Sequence, residues 1–149
     1  MSPKTNTLDT TDPFNLRRFV EAHEAVYNNV LSELRGGRKR THWMWFIFPQ
    51  IAGLGHSSTS KYYAIQGRVE AQHYLDHPIL GARLVECSEI VLNVNGRSAS
   101  EIFGSPDDLK LRSSITLFAA LPDSNPVFTH VLEKYFQGEP DTRTLKLLR

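Results

Sequence analysis

Proline and glycine interrupt this sequence so often that neither a long helix nor a long strand fits between them. The breaks fall at Asp12-Pro13, Gly36-Gly37, Pro49, His77-Pro78, Asn95-Gly96, Ser105-Pro106, Leu121-Pro122, Asn125-Pro126 and Gly138. Proline lacks the backbone donor that a helix interior needs, and it pushes the preceding residue out of the helical region. Between the breaks, apolar residues recur at spacings of three and four, and no alternating strand pattern of useful length appears. The expected fold is therefore all-α: six or seven short helices with irregular crossings, in one domain.

The expected elements follow from local chemistry. Asp12 caps, and Pro13 opens, a helix reaching about Arg35, with Phe19, His23, Val26 and Val30 on one stripe. Trp43 to Phe48 is apolar throughout and fits a buried helical turn or a strand equally well. Helical spacing resumes from Ser60 to His77. From Pro78 a stripe of Leu80, Leu84, Cys87 and Val91 follows. Ser98 and Glu101 have capping-box spacing. Ser105-Pro106-Asp107-Asp108 and Asn125-Pro126 each signal a helix start, and Asp141 signals a last short one. Residues 1–11 read as a flexible lead-in and 12–149 as the domain.

A chain of 149 residues can bury its own core without staples, and a single cysteine, Cys87, excludes an intrachain disulfide. Residues 1–11 contain no apolar stretch of the secretory kind. The longest apolar run, Trp43 to Pro49, is too short to span a bilayer, so a cytoplasmic protein without membrane contact is expected. The net charge of +1 gives no global pull toward nucleic acid.

Local charge is another matter. No acid lies between Glu33 and Glu70, whereas Arg35, Arg38, Lys39, Arg40, Lys61 and Arg68 all do. Such a field favours phosphates and carboxylates. Trp43, Trp45, Phe46 and Phe48 would anchor the segment, and cations held by anchored aromatics bind with less ordering cost. Beyond Pro49, Gly53-Leu54-Gly55 permits close backbone approach, and His56 to Ser60 lead into a helix start. A second basic-hydroxyl cluster, Lys110-Leu111-Arg112-Ser113-Ser114, lies far along the chain. Nothing in the spacing says that the two meet.

The candidate ligand-binding residues are therefore Arg38, Lys39, Arg40, Trp45, Gln50, Ser57, Lys61, Tyr62, Lys110, Arg112 and Ser113. His42 and His56 are the candidates for proton transfer. The expected partner is a small phosphate-bearing molecule. The alternative is a protein or nucleic-acid interaction module without catalysis, with nucleic acid placed second because the aromatics read as buried. Whether the site catalyses anything is left open, as is the oligomeric state.

Each feature also has a plain structural reading. Arg38 to Arg40 would be a solvated turn, His42 a hydrogen-bonded histidine, and Asp107 and Asp108 helix-start residues. His73-x-x-x-His77 has the spacing of two metal ligands, but no third ligand follows at a diagnostic distance, so no metal or cofactor is expected.

The blocks "DPFNLRRFVEAH", "GGRKRTHWMWFIFPQIAGLG", "YYAI", "YLDHPILGARLVEC", "IFGSPDDLKLRSSITLF" and "TLKLL" resemble a bacterial family of unknown function (DUF1810), some members of which carry the label "calpastatin". The resemblance spans nearly the whole predicted domain. It implies a compact, mainly helical, single-domain bacterial protein and brings no activity with it. The calpastatin label finds no support, since that inhibitor is a long disordered repeat protein. The family pattern tends to carry glutamine at position 23 and serine at position 41. This argues against a shared catalytic role for His23 and keeps a hydroxyl at Thr41. Its two strongest blocks, Arg38 to Gly55 and Lys110 to Phe118, coincide with the two basic-hydroxyl clusters.

Overall fold

The computed structural model describes residues 11–148. The expected lead-in, except for Thr11, and Arg149 lie outside them. Ten helices follow one another among the described residues: α1 (Arg17–Glu24), α2 (Tyr27–Arg35), α3 (Met44–Ile47), α4 (Ser58–Tyr62), α5 (Arg68–Asp76), α6 (Leu80–Leu92), α7 (Ala99–Phe103), α8 (Asp107–Ala119), α9 (Pro126–Phe136) and α10 (Thr142–Leu147). The only strand-like pairing among them is one isolated parallel bridge between Ile51 and Ile65. The fold is all-α.

The longer helices form the core. α8 buries Leu111, Ile115, Leu117 and Phe118 and packs against α5, α7, α9 and α10. α6 buries Leu80, Leu84, Cys87 and Val91 against α2, α5 and α9. A Cβ on Gly81 would collide with the Leu75 carbonyl, so only glycine lets α6 begin this close to the end of α5. The buried apolar residues, from Leu16 to Leu148, form one continuous cluster.

Two expected helices are broken in the structure, each for a visible reason. The first divides at Ala25-Val26, because its halves serve different partners: α1 packs on α3, and α2 packs on α6. It also starts later than its cap. Asp12 accepts from the backbone N–H of Leu16 and Arg17, while Asn15 sits at φ +53°, so Pro13 and Phe14 form a turn ahead of α1. The second divides between Tyr62 and Arg68, where the chain extends so that Ile65 can bond to Gln50 and Ala52. Two groups fix that extension. Arg18 is 8% exposed and donates to the carbonyls of Phe14, Asn15, Tyr62 and Ala64 and to the Glu70 carboxylate at 2.8 Å. Glu70, 2% exposed, also accepts from the Gln66 N–H.

Other starts form as local chemistry dictates. Ser98 and Glu101 make the reciprocal capping box of α7. Asn125 caps α9 with Pro126 in its first turn, and Asp141 caps α10. At α8, Pro106 itself takes the capping position and Ser105 makes no cap bond. Trp43 to Phe48 resolves as a single buried helical turn, α3.

Candidate functional site

The basic loop is wound around one carboxylate. Glu33, near the end of α2, accepts from the Arg40 N–H (2.7 Å), the Thr41 N–H (3.1 Å), the Thr41 hydroxyl (2.7 Å) and the Trp43 indole N–H (3.0 Å). Partial burial alone would raise the Glu33 carboxyl, but these four donors outweigh it and hold it below the ordinary carboxylate range. Trp43 is fully buried and packs edge-on to Phe103. Lys39 lies over the Trp43 ring at 5.0 Å, donates to the Thr41 carbonyl and pairs with Asp107 at 2.9 Å. Thr41 and Lys39 are thus committed within the fold.

Two residues further on, the geometry opens. Trp45 is half-buried, with no hydrogen bond to its indole N–H among the described residues, and it lines two adjoining clefts. One, of about 590 Å³, runs between the turn at Leu54–Ser60 and the face made by α8 and the start of α10. Lys110, Arg112 and Arg143 line it, against a single carboxylate, Asp141. The Asp141 carboxylate is already occupied, capping the Thr144 N–H and accepting from the Ser113 and Thr144 hydroxyls. Lys110 is held over Trp45, 5.3 Å from the ring centre, with Asp107 3.6 Å from its ammonium. Arg112 donates to the Glu139 carbonyl and has the exposed Glu139 carboxylate 3.6 Å from its guanidinium. Arg143 is exposed and has no partner among the described residues.

The turn that forms the opposite wall is tightly closed. Ser57 caps α4 by accepting from the Ser60 N–H, and the two hydroxyls bond at 2.9 Å. A Cβ on Gly55 would lie 2.5 Å from the Ser60 side chain, so the turn closes only with glycine at this position. Within it, His56 is exposed, and neither its ring nor the Gln50 carboxamide has a hydrogen-bond partner among the described residues.

The two basic-hydroxyl clusters therefore meet. Trp45, Gln50, His56, Ser57, Lys110, Arg112 and Ser113 line the larger cleft, and Lys61 lines the smaller one, of about 360 Å³. Arg38, Lys39, Arg40, His42 and Tyr62 lie outside the lining of both. Arg38, Arg40 and His42 are exposed on the Glu33 loop, and Tyr62 stands 55% exposed on α4. The Ser113 hydroxyl, while lining the cleft, is shared between the Leu109 carbonyl and Asp141.

Sequence reasoning missed Arg143, whose nearest signal was the Asp141 cap that places it in the first turn of α10. It also missed the Arg18–Glu70 pair. An arginine on the stripe side of α1 and a glutamate in the first turn of α5 were the signals for that pair.

Two buried titratable groups away from the cleft, His23 and Cys87, are packed within the fold. His23, 1% exposed, bonds the Phe46 carbonyl through Nε2 at 2.7 Å and faces Arg83 through Nδ1 at 3.2 Å. The ring is neutral: Nε2–H donates and Nδ1 accepts. Burial, opposed by the Phe46 bond and reinforced to a lesser degree by the Arg83 charge, lowers it to about 4. Cys87 is pushed up to about 12, chiefly by burial, and is inert as a thiol at neutral pH. Another hollow, of about 570 Å³, contains His73, Asp76 and His77. Its polar groups are largely spent: Asp12 caps α1, and His77 Nδ1 accepts from the Ile79 and Leu80 N–H groups. Among the described residues no three His, Cys, Asp or Glu are grouped to hold a metal, and no helix is long and apolar enough to cross a membrane.

The fold and cleft define an all-α protein with a basic-aromatic groove on one side. The chain belongs to the family described as "Protein of unknown function (DUF1810)", whose pattern matches residues 13–148. It is similar to a conserved hypothetical protein, Rv1873, from Mycobacterium tuberculosis, known from a crystal structure. The two are 56% identical with a TM-score of 0.91, over 92% of this chain and 98% of that one. No protein of curated function matches it.

Proposed function

We propose that the cleft between the Gly55–Ser60 turn and α8 binds a small anionic molecule, most simply one carrying a phosphate. The observation that supports this is the convergence of Lys110, Arg112 and Arg143 on a hollow whose one carboxylate is already used as a cap. A concave site with few compensating acids raises the local concentration of anions. Trp45 supplies a half-buried ring beside the cations, and Gln50 and His56 supply uncommitted polar groups. His56 is the group positioned to exchange a proton with a bound ligand; His42 lines neither cleft.

The test is a thermal-shift and calorimetric screen with phosphate-bearing metabolites and their dephosphorylated counterparts. A ligand at about one hundred times its dissociation constant adds roughly 2.7 kcal/mol to stability. The proposal predicts a shift that requires the phosphate and disappears in the double variant Lys110→Glu/Arg143→Glu. A shift that survives charge reversal would place the ligand elsewhere. Binding confined to oligonucleotides, and falling steeply with salt, would favour a nucleic-acid module instead.

A further inference from the structure

The two clefts differ in chemistry yet share Trp45, Gln50, Gly55, His56 and Ser60. The larger one carries the cations Lys110, Arg112 and Arg143. The smaller one has no carboxylate and one lysine, Lys61; its polar side chains are otherwise the carboxamides of Gln50 and Gln66 and the shared His56 and Ser60, with Tyr63 as a second aromatic beside Trp45. Ile51 and Ala52 line it beside the bridge to Ile65, where the Ala52 N–H is already bonded to the Ile65 carbonyl, so recognition there falls to side chains. Each cleft lies in the size range of small-molecule sites, about 300–1,000 Å³.

Resting on the anion-binding proposal, we infer that the two clefts are halves of one site and that the ligand is a nucleoside monophosphate. The phosphate lies among Lys110, Arg112 and Arg143, and the uncharged base enters the smaller cleft beside Trp45 and Gln50. Two features select a base over a sugar or an aliphatic tail. An aromatic side chain offers a face on which any base stacks. A carboxamide offers a donor and an acceptor side by side, which matches the edge of a nucleobase. The Gln50 carboxamide stands at the junction with both groups uncommitted among the described residues.

The experiment is isothermal titration of the full chain, at fixed ionic strength, with the four common ribonucleoside monophosphates, ribose 5-phosphate and adenosine. At least one nucleotide should bind about tenfold or more tighter than ribose 5-phosphate, with adenosine weaker than the nucleotide that carries its base. Gln50→Leu should weaken the preferred nucleotide about tenfold and leave ribose 5-phosphate unchanged. Equal affinity of ribose 5-phosphate and every nucleotide would overturn the base-binding half while leaving the anion seat intact. Failure of all five phosphates to bind would overturn both. The wild-type comparison decides the matter even if the variant folds poorly.

Discussion

Trp43 and Trp45 stand two residues apart, on and just before the same helical turn, and do opposite work. Trp43 is fully buried, with its indole N–H on Glu33 and its ring against Phe103. Trp45 is half-buried, has no such bond among the described residues, and faces two clefts. The basic residues divide in the same way. Arg40 and Lys39 belong to the knot around Glu33 and Asp107, whereas Lys110 and Arg143 face the cleft. The knot and the cleft are joined by Asp107, which Lys39 contacts from one side and Lys110 from the other. The run of cations beside the aromatics is thus a folding device, whereas the cleft that Trp45 faces takes its cations from helices some sixty or more residues later.

The sharpest way to break this contrast is to truncate each tryptophan. Trp43→Ala should cost about 3–5 kcal/mol in urea denaturation, as large buried aromatics do, whereas Trp45→Ala should cost only about 1 kcal/mol. Equal losses would mean that both rings are core.

The acid side of the stability profile separates the structural groups further. The fold favours neutral His23, at about 4 against an ordinary 6.5, so its contribution is fully present above pH 6.5 and is lost as pH falls toward 4. Over that window the loss should approach about 3 kcal/mol. His23→Gln, which keeps a donor and an acceptor without titrating, should flatten it. A wild-type profile that is level between pH 6.5 and 4 would contradict the buried neutral ring.

Glu33 should act at lower pH. Its carboxyl is held below the ordinary value, so its contribution is present above about 4.5 and disappears as pH falls through the depressed value. Glu33→Ala should cost about 2 kcal/mol at neutral pH, since three backbone and side-chain donors of the loop and the Trp43 indole lose a charged acceptor. Denaturation of the wild type and the variant at pH 7, and again as the pH is taken well below 4, checks both size and window: the gap between them should close only at the acid end. The smallest expected effect on stability belongs to Arg143→Glu. It should leave the melting midpoint within experimental error and weaken a phosphate-bearing ligand about tenfold, as calorimetry would read.

Much of the fold was legible because its helix boundaries are set locally. The caps at Ser98, Asn125 and Asp141 need only the next few residues to form, so their spacing is enough to reveal them. The two broken helices were not legible, since what breaks them is distant: the choice of α3 and α6 as separate partners, and the grip of Arg18 on carbonyls forty-four and forty-six residues away. The site divides similarly. Basic, aromatic and hydroxyl character could be read from the residues, but only packing shows that α8 closes onto the Gly55 turn. Nor could composition show that Glu33 folds back to take up the loop holding Arg38 to Arg40, because that carboxylate sits at the edge of the acid-free segment and not inside it.

The most direct test of the central claim uses Trp45 as a reporter of the charge around it. Fluorescence quenching is measured with iodide and with caesium at equal ionic strength, in the wild type and in Lys110→Glu/Arg143→Glu. If the cleft gathers anions, iodide quenches the Trp45 emission well beyond caesium, the double variant reverses that order, and inorganic phosphate protects the wild type from iodide. If caesium quenches the wild type as strongly as iodide, the cleft does not attract anions and the proposed ligand class is wrong.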